Sequence, residues 1–167
     1  MRLKKFTIGI IFLMAMALTA GLGLATSQEE GQSLPENLDE YKHVNTLIVP
    51  NAESDIHGLH HFYMGKKGRQ AFMQGGTNQY PDGTTFVGKV YKIVETTEGR
   101  YKEGDLAAYT LMRKDSDAQS TQDTGGWHFV MFTSDGANKD VDPAKHCFGC
   151  HEPSPETDYV LSEPLMD

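Results

Sequence analysis

Apolar and polar residues divide the chain into three regimes. An almost purely apolar run, Phe6 to Ala20, gives way to a polar, acidic stretch, "TSQEEGQSLPENLDE". From residue 43 onward the pattern becomes short apolar segments with a two-residue rhythm, which predicts strands joined by turns. "HVNTLIV" and "HGLHHFYM" read as strands on either side of a Pro-Asn turn, and "KKGRQAFMQGG" as one short helix closed by glycine. "YPDG" is a turn by composition. "TTFVGKVYKIVET" after it is a long strand rich in β-branched and aromatic residues. "TEGRYKEGD" reads as a hairpin connection leading into the strand "LAAYTLMRKD". "SDAQSTQDTGG" reads as an exposed loop and "WHFVMFTSDG" as a further strand. "LPENLDEYKHV" predicts a short helix with Pro35 near its start, and the last segment, which carries both cysteines, reads as short and irregular. The expected fold is mainly β (α+β): an antiparallel sheet of about four or five strands with short flanking helices.

The N-terminus changes the address of that fold. Arg2, Lys4 and Lys5 precede the apolar run, and Gly23 and Ala25 are spaced like the −3 and −1 positions of a signal-peptidase site. Residues 1–25 therefore read as a signal peptide, 26–40 as a flexible lead-in and 41–167 as one domain. That domain is long enough to bury a core of its own. The expected location is the periplasm, with membrane anchorage as the alternative if the leader stays uncleaved. Of the 15 basic residues three lie in the leader, which leaves 12 against 23 acidic ones. A surface so acidic argues against nucleic acid and anionic lipid as partners, and suits docking to a basic redox partner.

The two cysteines stand in "KHCFGCHEPSPETD", as Cys147-x-x-Cys150-His151. Exported cysteines ordinarily pair, but a disulfide across two residues closes a tiny loop and constrains little of the unfolded chain. A redox dithiol expects the motif at a strand end, opening a helix whose dipole lowers a thiol pKa. Here the proline-rich "EPSPETD" follows. Structural zinc needs four protein ligands, and there is no second cysteine pair. Cys-x-x-Cys-His is the signal for c-type haem attachment. Cys147 and Cys150 would form the thioethers to one haem edge, and the His151 imidazole would ligate iron. The covalent cofactor expected is one haem c.

With that motif in place, "HGLHHFYM", "YPDGTTFVGKVY", "GGWHFVMF" and "CFGCH" together resemble the cytochrome P-460 family, which includes the cytochromes c′-beta. The resemblance runs from about residue 40 to the end. It implies a small antiparallel β domain with flanking helices, one haem c, homodimers in many members, and five-coordinate iron with His151 on one side and an open distal position. On the family pattern the face carrying His60 and Phe62 turns to the distal pocket, matched by Thr84, Phe86 and Gly88. Two aromatic side chains over the iron would exclude water and favour small uncharged ligands such as NO or CO. His60 would serve as a donor or proton shuttle, or as an ordinary strand histidine. The hydroxylamine-oxidising members carry a lysine on this strand, bonded to the porphyrin. Here Gly88 stands at the aligned position and the nearest lysine is Lys89. One residue of shift sends a side chain to the opposite face unless a bulge at the glycine restores it.

The function expected is an exported monohaem cytochrome that binds or converts small nitrogen oxides, NO or hydroxylamine. Its distal candidates are His60, Phe62, Phe86 and Lys89. One alternative is a lysine-cross-linked hydroxylamine oxidoreductase. Another is a six-coordinate electron carrier using a histidine or methionine among His57, His60, His61, His128, Met64, Met73 and Met131. A third is a sensor whose haem is only structural. Arg69 and the Lys66–Lys67 pair are candidates to neutralise haem propionates, and Trp127 to anchor the core.

Overall fold

A computed structural model describes residues 32–54, 56–74 and 79–161. The expected signal peptide, residues 1–25, and residues 26–31 of the lead-in lie outside the described residues. Six strands form one sheet in sequence order: β1 (Lys42–Val49), β2 (Gly58–Met64), β3 (Thr85–Glu95), β4 (Tyr101–Lys114), β5 (Trp127–Thr133) and β6 (Asn138–Lys139). Each is antiparallel to its neighbour, so the sheet is a meander of hairpins. The helix α1 (Lys66–Met73) follows β2. It sits against the sheet through Gly68, where an added Cβ would press on Met64 and Thr84.

Side-chain alternation assigns the two faces. Paired positions share a face, so Phe62 and Gly88, Met64 and Phe86, Phe86 and Met112, and Met112 and Phe129 lie together. This inner face holds the larger core cluster: Val44, Met64, Tyr80, Phe86, Met112, Trp127 and Phe129. Against it pack Phe62, Cys147, Phe148, Tyr159 and Val160. The opposite, outer face holds a smaller cluster of Leu111, Val130 and Phe132, joined by Leu34 and Tyr109. Leu34, expected within a flexible lead-in, is thus tied to the outer face of the sheet.

Four elements differ from the sequence expectation. Residues 101–105, expected in a connection, belong to β4: Tyr101, Lys102 and Glu103 pair with Glu95, Val94 and Ile93. Backbone hydrogen bonds of a partner strand hold residues that are polar and largely exposed, so no apolar pattern announces them. The loop at 116–126 contains a 3-10 helix, Gln119–Thr124, anchored by the buried Thr121 and Thr124. The segment with the cysteines is helical: a π-helical turn, Ala144–Phe148, runs into the short helix α2 (Gly149–His151). The helix expected near Pro35 is a single 3-10 turn, Leu38–Glu40.

Candidate functional site

The cysteine segment begins at Asp142, whose Oδ1 accepts hydrogen bonds from the Ala144 and Lys145 amides at 3.0 and 3.3 Å. Its helical backbone brings Cys147, Cys150 and His151 to one side, since residues three and four apart are neighbours on a helix surface. Both thiols are free, Cys147 half-buried and Cys150 exposed. Burial pushes the Cys147 thiol up, reinforced by the neighbouring Cys150 and Asp142. That is the reverse of what a redox dithiol needs. Among the described residues no group of three or more His, Cys, Asp or Glu side chains could hold a metal ion.

His151 is oriented by the chain after it. The segment turns through Pro153 and Pro155, with the Ser154 amide donating to the His151 carbonyl at 3.0 Å and the Tyr159 amide to the Ser154 carbonyl at 2.8 Å. This return places the Tyr159 carbonyl 2.6 Å from His151 Nδ1. A carbonyl only accepts, so Nδ1 carries the proton and Nε2 keeps its lone pair. Burial lowers the ring's pKa, with the Tyr159 bond opposing, and so favours the neutral, ligating form. The ring packs on Phe129, centroids 4.9 Å apart, and Phe129 and Phe148 stand 6.0 Å apart beside it. Two thiols one helical turn apart, a neutral imidazole with its outer nitrogen fixed and its inner one free, and an aromatic wall together fit the attachment of haem c.

The tail that supplies this carbonyl is fastened to the sheet by a buried ion pair. Lys114, at the end of β4, donates to Asp158 Oδ1 at 2.6 Å and to the Gly125 carbonyl at 3.0 Å. The two side chains are 5% and 6% exposed. Asp158 Oδ2 accepts the Tyr80 amide at 2.8 Å, and its carbonyl accepts the Trp127 indole N–H at 2.9 Å. The Lys114 ammonium also lies 5.0 Å over the Trp127 ring.

The expected distal residues fall in three places. Phe62 and Phe86 share the inner face and the cluster that contains Cys147. His60 is on the same strand face, buried, with its ring stacked near Phe62 at 6.0 Å. Its Nε2 bonds the Ile56 carbonyl at 2.8 Å, and burial lowers its pKa. Lys89 is not with them. The β2–β3 ladder is unbroken from Leu59–Tyr91 to Met64–Phe86, so no bulge occurs at Gly88. Lys89 therefore projects from the outer face, with its ammonium 5.0 Å over the Tyr63 ring. Gly88 is closed to any side chain: a Cβ there would strike Thr110 Oγ1 and come within 3.2 Å of Phe62 Cε1.

On α1, Arg69 has a buried Nε with no hydrogen-bond partner, whereas Lys67 reaches toward Gly83 and Asp82. Lys66 is exposed. Trp127 is fully buried in the core. Sequence reasoning did not find Lys114, Asp158, Tyr159, Phe129 or Phe148 as parts of the site.

A family model described as Cytochrome P460 matches residues 38–162. No curated protein matches the chain.

Proposed function

From the premise that the chain belongs to the cytochrome P460 family, and so is a haem cytochrome, we propose an exported monohaem c-type cytochrome with an open distal position that binds or converts NO. Cys147 and Cys150 would hold the haem through thioethers, and His151 would offer Nε2 to the iron. The haem, when bound, supplies an iron that takes a small ligand and exchanges one electron. Arg69, with its unpartnered Nε, offers a charge to a propionate. Phe62 and Phe86 form an apolar wall that excludes water and selects small uncharged ligands.

The observation that carries this reading is that Phe62 and Cys147 both pack against the apolar cluster that contains Phe86. Four of the candidate sixth ligands are otherwise engaged. His60 Nε2 is engaged by a backbone carbonyl, and His61 bonds Thr46 and Glu103 on the outer face. His128 pairs in register with Arg113, also on the outer face, and Met64 is fully buried beneath α1. The position of Lys89 speaks equally against a cross-link to the haem. Export is inferred from residues 1–25, and a homodimer from the family resemblance.

The optical spectrum of the purified ferrous protein tests the proposal. High-spin bands that shift on addition of NO or CO are expected. Sharp low-spin α and β bands would instead establish a six-coordinate electron carrier. A Soret band far to the red of ordinary haem c would establish the lysine cross-link and hydroxylamine chemistry. The tether is tested separately: covalent haem is expected to be lost in the Cys147→Ala, Cys150→Ala double variant.

A further inference from the structure

The backbone that holds the His151 N–H is in an unusual conformation. Asp158 and Tyr159 are consecutive non-glycine residues with φ of 53° and 64°. Side chains with a Cβ visit that left-handed region at a cost, and two in succession persist only where the surroundings over-determine them. Here the surroundings are specific. The Asp158 carboxylate is gripped by Lys114 Nζ and the Tyr80 amide, and its carbonyl by the Trp127 indole. The Tyr159 ring packs 5.1 Å from Phe148 and lies against Gly125, which has φ of 64° and no space for a Cβ on that side.

We propose that Lys114 and Asp158 are positioning residues for the proximal ligand: their buried pair holds the left-handed turn whose Tyr159 carbonyl takes the His151 Nδ1 proton. This rests on the reading of His151 as axial ligand. A hydrogen bond to the outer nitrogen makes an imidazole a stronger donor to its metal. A turn locked by the ion pair keeps that bond short and aligned, which strengthens the bond from Nε2 to iron and favours the ferric state. Slackening the turn weakens both effects without touching the ligand itself.

The test uses the haem-loaded protein and three variants: Asp158→Asn, which removes the ion pair but keeps an acceptor for Tyr80; Lys114→Met; and Trp127→Phe, which keeps the ion pair but removes the indole bond to the Asp158 carbonyl and part of the buried ring beneath Lys114. In each, the ferrous iron–histidine stretching mode is expected to shift to lower wavenumber by resonance Raman, and the reduction potential to become more positive. Trp127→Phe should give the smallest shift, and it serves if the charge variants fail to fold. If all folded variants lose stability to denaturant while the stretching mode and potential stay at wild-type values, the pair is a staple only and the proposal is overturned. A wild-type protein without that mode, or a mode that survives in His151→Gly, overturns the haem reading itself and the positioning role with it.

Discussion

At the scale of single residues, Gly88 is the position whose chemistry is most tightly specified by its neighbours. Thr110 stands opposite it on β4 and the Phe62 ring closes over it from β2. Threonine is stiff about χ1, so a methyl at residue 88 forces either the strand or the Phe62 ring to move. Gly88→Ala is expected to cost about 1–3 kcal/mol in urea unfolding, as overpacking of a well-filled site does. Thr110→Ala in the same chain should recover part of that loss, because the two sites are coupled by direct contact. His60 gives a prediction in pH. Burial lowers its pKa from 6.5, against the bond to Ile56. The unfolded chain therefore takes up this proton first as pH falls through 6.5. Stability drops from there until the folded ring also protonates. His60→Gln should lose stability less steeply between pH 7.5 and 5, measured by urea midpoints at each pH.

At the scale of elements, the ion pair between β4 and the tail is the joint that the fold can least easily do without. Removing one member of a buried pair leaves the other charge uncompensated, so Lys114→Met is expected to destabilise by about 3–5 kcal/mol. Trp127→Phe, which deletes one neutral hydrogen bond and leaves a small cavity at a fully buried site, should cost about 2–3 kcal/mol by the same denaturant measurement. None of this was legible from the sequence, because Lys114 and Asp158 are 44 residues apart and Tyr80 and Asp158 are 78 apart. Only folding brings them together. What was legible was local. β2, β3 and β5 announce themselves by runs of β-branched and aromatic residues. The start of β4 was illegible for the opposite reason. Tyr101 to Asp105 are held in the ladder by β3 and have few apolar contacts to advertise. The helical form of the cysteine segment was hidden by the prolines that follow it. They end the helix at His151 without preventing the turns before it.

At the scale of the whole molecule, the order β1 to β6 means that every strand pairs with the next one in sequence. Such pairings close short loops and are cheap in chain entropy, whereas docking the tail closes a much longer one. The sheet should therefore be largely assembled in the folding transition state, with the C-terminal segment joining afterwards. Two substitutions separate these stages. Val87 is fully buried in β3, between Tyr63 and Leu111, so Val87→Ala removes contacts made within the meander. It is expected to slow refolding by most of its effect on stability. Lys114→Met removes a contact made only once the tail is down, so its effect should fall almost wholly on a faster unfolding rate. Stopped-flow measurements across a range of urea concentrations distinguish the two arms. Equal slowing of refolding by both variants would place the tail in the nucleus. The turn that holds His151 would then form with the sheet.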